Sequence, residues 1–195
     1  VAMNMAHRIC CSSQLWARSV ERRLLPWALE HADLGDNTLE IGPGYGANMR
    51  CLVELTPKLT AIEIDPTMAK RLQAKYGSRA HIVNGDGTDT GLSSEQFSSV
   101  VCFTMLHHVP TAQLQDRLFA EAFRVLRPTG VFAGSDGVHS PLFRLMHWGD
   151  TYNPVPPETM AERLHRTGFR KIEVSTAAGQ QRWLAVKPAD SVTST

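Results

Sequence analysis

Apolar positions along the chain switch between two spacings. Trp16, Val20, Leu24, Trp27 and Ala28 recur every three or four residues, with Arg18, Glu21, Arg22 and Glu30 on the rest of the wheel. That spacing predicts an amphipathic helix. Ser12 or Ser13 stands where a cap is needed, and Pro26 should kink or break the helix. Residues 1–12 carry no clear period. Short apolar runs then take over at Thr38–Ile41, Leu59–Glu63, Ala80–Val83, Val100–Leu106 and Val131–Ser135. They read as strands, the Val100–Leu106 run as one buried in a parallel sheet. Helical patterns lie between them. Ala47–Leu55 is one. Met68, Ala69, Leu72 and Tyr76 form another, opened by Asp65-Pro66 as cap and first helical position and closed at Gly77. Leu114, Leu118, Phe119, Ala122, Phe123 and Leu126 form a third. Residues 137–155 show no period. Pro157–Arg166 reads as a helix ended by Gly168, and Lys171–Ser175 with Arg182–Val186 as a hairpin around Gly179.

Strands alternating with helices predict an α/β fold, a parallel sheet with helices on both faces. One domain over 1–195 is expected: a helical segment over 1–35, a ligand-binding core over 36–136, a covering segment over 137–155, and a helix with a hairpin over 156–187. Such sheets bind ligands at the carboxyl ends of their strands. Those ends carry Glu40 to Gly46, Glu63, Asp86, Thr104 to His108, and Asp136.

Composition narrows the function classes. A formal charge of +1 over 195 residues implies no large basic surface, which argues against a dedicated nucleic-acid binder. No apolar run reaches membrane-spanning length, and the first residues lack the basic-then-apolar order of a signal peptide. A cytoplasmic protein without membrane insertion is expected. Cys10, Cys11, Cys51 and Cys102 form no Cys-x-x-Cys or Cys/His ligand spacing, so reduced thiols and no metal are expected.

The stretch Thr38 to Asn48 carries the chemistry. A short strand runs into Gly42, Gly44 and Gly46, and a helix follows at once. Glycines there let the backbone approach a ligand, and the helix start supplies free N–H groups. Gly42-x-Gly44-x-x-Ala47, with Glu63 about 20 residues on, fits a dinucleotide fingerprint. Glu40 argues against it, because a carboxylate facing a pyrophosphate repels it. The same carboxylate suits an ammonium group. Glu40-Ile-Gly-Pro-Gly-Tyr-Gly46 resembles motif I of the class I S-adenosylmethionine-dependent methyltransferases. The resemblance extends over roughly 36–136 through Ile62-Glu-Ile-Asp-Pro66, Gly85-Asp86, Phe103-Thr-Met-Leu-His-His-Val109 and Arg124-Val-Leu-Arg-Pro-Thr-Gly130. The last two resemble the small-molecule branch of ubiquinone/menaquinone-biosynthesis type.

That resemblance implies a Rossmann-like sheet of seven strands in the order 3-2-1-4-5-7-6, the last strand antiparallel. It implies S-adenosylmethionine as cofactor, S-adenosylhomocysteine as product, and cofactor contacts from Glu40, Gly42, Pro43, Gly44, Tyr45, Gly46, Glu63, Ile64, Asp86, Gly87, Thr104 and Met105. Glu63 would accept from the ribose hydroxyls, Ile64 would cover one adenine face, and Asp86 would accept from the adenine amino group. Gly87 stands for the usual alanine, Thr129 for a usual glycine, and Ser98-Ser99 for a usual aspartate. The motifs also look like those of the ribosomal RNA adenine dimethylases. Their Asn-Leu-Pro-Tyr type of motif is replaced by Thr104-Met-Leu-His-His, so an adenine substrate is not expected. His107 and His108 are the candidate catalytic groups, since histidine suits proton removal from an OH or NH acceptor near neutral pH. Phe143, Trp148 and Tyr152 in the 137–155 segment suggest an apolar or aromatic small-molecule acceptor, or a satellite core. The 1–35 segment is a helix packed on the sheet or, as in this family, a cover for the cofactor. The expected function is methyl transfer to a small organic acceptor. The alternatives are an NAD-binding oxidoreductase and a non-catalytic S-adenosylmethionine-binding protein.

Overall fold

The computed structural model describes residues 4–189; Met3 and both ends of the expected 1–195 domain lie outside them. Seven strands form one sheet in the order β3-β2-β1-β4-β5-β7-β6, as expected. They are β1 (Asn37–Ile41), β2 (Lys58–Glu63), β3 (His81–Asn84), β4 (Phe97–Phe103), β5 (Leu126–Gly137), β6 (Arg170–Ala177) and β7 (Gln180–Val186). The first five run parallel, and β7 is antiparallel to both of its neighbours.

Side chains alternate across this sheet, so each face has its own core. Val100, Cys102 and Phe132 point to the face covered by α6 (Ala112–Val125) and α8 (Pro157–Thr167). Val101, Phe103 and Ala133 point to the face covered by α3 (Leu25–Ala28), α4 (Met49–Leu55) and α5 (Pro66–Tyr76). The Asp65 side chain accepts from Thr67 and Met68 N–H, which fixes where α5 begins.

Four expectations are corrected. The stretch without a period before Ser13 holds helix α1 (Met5–Ser12), with Asn4 ahead of it bonded to Met146, Trp148 and Asp150. Pro26 does not break its helix off, and the interruption precedes it. α2 (Gln14–Ser19) passes into a π turn, Val20–Leu24, where Leu25 N–H reaches Val20 O. Because Pro26 has no N–H, the chain widens one turn just ahead of it. β4 ends at Phe103, not Leu106. Thr104 sits at φ 50 with its N–H on Ser135 O, and Leu106–His108 form a 3₁₀ turn. The apolar run misleads there because Leu106 is buried under the loop rather than in the sheet. Finally, 137–155 is not wholly irregular. It contains α7 (Pro141–Met146), capped by the Ser140 side chain on Phe143 N–H.

Two of the departures from the family pattern acquire reasons. Ser98 and Ser99 lie inside β4 and tie it to the approach to β1, through Leu34 O, Asn37 and Thr38. A Cβ on Gly87 would lie 2.4 Å from Ile41 Cγ2, so the β-branched Ile41 occupies the room an alanine would need.

Candidate active site

The carboxyl ends of β1 to β4 border a cavity of about 650 Å³, within the range of small-molecule sites. Its wall includes Gly42, Pro43, Gly44, Tyr45, Glu63, Ile64, Asp86, Gly87, Thr104, Met105 and His108. Glu40, Gly46 and His107 are not on it. Sequence reasoning missed Thr88, Leu114 and Leu118, and Arg8, Cys11 and Trp16 from the leader, all of which line the cavity. Arg8 Nε is 3.4 Å from Tyr45 Oη. The Cys11 thiol is pushed up to about 11 by burial, with help from Cys10 and Asp150, so it is no nucleophile at neutral pH.

The first loop is shaped by backbone. Gly42 sits at φ 70 with its N–H on Ile62 O, and a Cβ there would come within 2.9 Å of Met105 Cε. Gly44, at φ 55, turns its N–H onto Glu63 Oε2 at 2.9 Å. Glu63 Oε1 accepts from Asp65 N–H at 3.0 Å. These bonds lock the carboxylate at the cavity edge and leave it further lone pairs. Ile64 next to it is half exposed, an apolar surface suited to a flat ring. Asp86 Oδ1 accepts from Thr88 N–H, leaving Oδ2 toward solvent on an exposed residue.

Glu40 is placed differently from the expectation. Strand alternation turns it toward the α4 face, where it is fully buried behind Asn48, a residue of the wall. Its Oε1 accepts from Asn48 Nδ2 at 3.0 Å, and its Oε2 has no hydrogen-bond partner among the described residues. Burial lifts this carboxyl to about 8, the Asn48 bond opposing and the Glu63 charge assisting. It is therefore uncharged at neutral pH, and the pyrophosphate-repulsion argument does not hold as drawn.

On the other side, His107 and His108 part company. His107 is buried, with its N–H on Asp136 Oδ2 at 2.8 Å and its Nδ1 2.5 Å from Asp136 Oδ1. Asp136 also accepts from Gly137 N–H. His108 faces the cavity, its Nδ1 3.3 Å from Thr151 O. His147, from the end of α7, packs edge-on to His107 with ring centroids 4.7 Å apart. Nothing in the sequence pairs His147 or Asp136 with His107, because only the fold brings them together.

The donors present fit the cofactor implied by the resemblance. The Asn48 side chain on the wall, the Glu63 carboxyl beside the close-approach glycines and the bare Ile64 surface are what an ammonium, a ribose and an adenine would complete.

A family profile described as a methyltransferase domain matches residues 39–134. Ribosomal RNA small subunit methyltransferase A of Cupriavidus taiwanensis is 40% identical over 55 residues, 28% of this chain and 20% of that protein. Erythromycin 3''-O-methyltransferase of Saccharopolyspora erythraea is 28% identical over 168 residues, 73% of this chain and 53% of that protein. The chain thus spans less than two thirds of either relative. Among solved structures, phosphoethanolamine N-methyltransferase 2 of Haemonchus contortus, in complex with S-adenosylmethionine, superposes with a TM-score of 0.71 at 15% identity. That match covers 96% of this chain and 61% of the other.

Proposed function

We propose that the chain is a class I S-adenosylmethionine-dependent methyltransferase, a reading supported by the methyltransferase-domain match over residues 39–134 and by the fold, and that it transfers a methyl group to a small organic acceptor. The observation that carries this reading is one cavity with Glu63 and Asp86 at one end and His108 at the other. S-adenosylmethionine, when bound, supplies a methyl group on a sulfonium, open to in-line displacement. The chain's own part is alignment. Gly42 to Gly46 give the backbone cradle, with Pro43 and Tyr45 on its wall. Glu63 holds the ribose, Ile64 and Gly87 border the adenine, and Asp86 accepts its amino group. Asn48, backed by Glu40, receives the ammonium end. Thr104 and Met105 border the reacting side, where His108 is the group able to take a proton from an OH or NH acceptor.

A small acceptor is favoured by the leader. Arg8, Cys11 and Trp16 close the cavity from outside, which suits a compact ligand and gives 1–35 the role of a cover. Residues 137–155 form the acceptor side. The relatives named for ribosomal RNA align over short parts of this chain, and Thr104-Met-Leu-His-His differs from a base-stacking motif. No helix among the described residues is long and apolar enough to cross a membrane.

Calorimetric titration with S-adenosylhomocysteine, with NADH alongside, tests the cofactor. Micromolar binding of the first and none of the second is expected. Glu63→Ala should weaken it about 10- to 100-fold, the worth of charged hydrogen bonds. Tight NADH binding without S-adenosylhomocysteine binding would make the chain an oxidoreductase. His108→Ala should leave S-adenosylhomocysteine affinity within about threefold while lowering turnover by about 100-fold or more on a panel of phenols, quinols and small amines. If turnover appears only with a partner protein added, the chain alone is a binding module.

A further inference from the structure

Methyl transfer as drawn needs one imidazole, yet three converge on the acceptor side. Each of His107, His108 and His147 offers a ring nitrogen, and these three atoms lie within 4.8 Å of one another. The ring centroids are 4.1, 4.7 and 5.4 Å apart. We propose that these three histidines form a binding site for a divalent cation of the zinc class.

Four features carry this. First, each Nδ1 meets an oxygen: Asp136 Oδ1 at 2.5 Å for His107, Phe143 O at 2.7 Å for His147, and Thr151 O at 3.3 Å for His108. An oxygen at Nδ1 fixes the proton there and makes Nε2 the ligating atom, the usual outer-shell arrangement of metal-bound imidazoles. Second, His107 Nε2 is buried with no hydrogen-bond partner among the described residues. Leaving such a buried atom unmet costs about 1–3 kcal/mol. Third, the fully buried Asp136 side chain stands directly behind His107, the carboxyl–histidine pairing that commonly backs a metal-bound imidazole. Fourth, the donor set is all imidazole nitrogen. That suits zinc-like ions and not magnesium or calcium, which take oxygen ligands.

Bonds of about 2.0–2.1 Å to each nitrogen require the three rings to draw together by small side-chain rotations. Three protein ligands leave a fourth position open. His108 belongs both to the cluster and to the cavity wall, so an ion here stands beside the acceptor's place and, when bound, polarises an acceptor oxygen in place of proton removal by His108, which serves as base only in the metal-free chain. The cation site does not depend on the methyl-transfer reading, because it is measured with no donor or acceptor present.

The test uses the full chain carrying Cys10→Ser and Cys11→Ser, so that exposed thiols contribute no ligand, after dialysis against a chelator. Zn²⁺ and Mg²⁺ are titrated by calorimetry, and Co²⁺ by visible absorption. One Zn²⁺ per chain with micromolar or tighter affinity, no heat from Mg²⁺, and the intense colour of four-coordinate Co²⁺ are expected. Asp136→Asn should weaken Zn²⁺ binding about 10- to 100-fold, and His147→Ala by more. His108→Ala removes a half-buried ring and serves as the ligand variant that keeps its fold, checked by circular dichroism. Zn²⁺ binding no tighter than millimolar, or equal affinity in the wild type and His108→Ala, would overturn the site and leave the rings as an aromatic cluster packed on Phe143.

Discussion

The two ends of the cavity are held by different kinds of contact. At the cofactor end, Gly44 meets Glu63, Asp65 meets Glu63, and Thr88 meets Asp86, all through backbone N–H groups and across separations of 19, 2 and 2 residues. At the acceptor end, His107 meets Asp136, His108 meets Thr151, and Asn4 meets Asp150, across separations of 29, 43 and 146 residues. The first end is a property of local backbone shape. The second exists only once the sheet, α7 and the leader have assembled. A site of the first kind tolerates change elsewhere, whereas one of the second kind records every change in packing.

The sharpest way to break that contrast is Asp136→Ala. It strips acceptors from His107 N–H, His107 Nδ1 and Gly137 N–H at once. Unsatisfied buried donors at about 1–3 kcal/mol each predict a loss of at least about 3 kcal/mol, read from urea denaturation. S-adenosylhomocysteine affinity should persist in the folded fraction. If it falls in step, the two ends are a single unit.

A smaller effect is expected at Thr129, which lies outside both ends. This β-branched residue sits at φ 66 in the bulge that opens β5. Thr129→Gly should stabilise the chain by about 1 kcal/mol without altering ligand binding, so a change in either titration would mean that strain reaches the cavity.

The smallest effect, when read at pH 4, belongs to Glu40→Gln. The folded chain holds the Glu40 proton more tightly than the unfolded one, at about 8 against an ordinary 4.5. Its stabilising contribution is whole below 4.5 and is lost as pH rises through 8. Denaturation midpoints of wild type and Glu40→Gln should therefore nearly coincide at pH 4, with the variant drawing ahead as pH rises from 4.5 to 8 and staying ahead at pH 9. Parallel curves across that range would place the carboxyl in water.

The same contrast explains what could be read from the sequence. The glycine loop, the Asp65 cap and Glu63 were legible because each follows from a fixed offset to a strand end. So was the strand order, although it came through the resemblance. Glu40's place at the end of β1 was legible, its direction was not: strand alternation hides it behind Asn48. Gly87 looked like a stray departure until Ile41 supplied the volume argument. The α1 helix, the early end of β4 and the histidine cluster left no periodic signal. Each depends on packing between segments far apart in the chain, and the expectation of no metal considered cysteine spacing but not three histidines gathered by folding.

One bond set in the leader bears on kinetics. Asn4 alone contacts Met146 O, Trp148 O and both carboxylate oxygens of Asp150, while Arg8 and Trp16 border the cavity beyond it. The leader is thus strapped at its far end to the acceptor side. If the leader covers a bound ligand, release past Arg8 and Trp16 is expected to follow the parting of that strap, and Asn4→Ala should then shorten the residence time while leaving the contacts inside the cavity as they are.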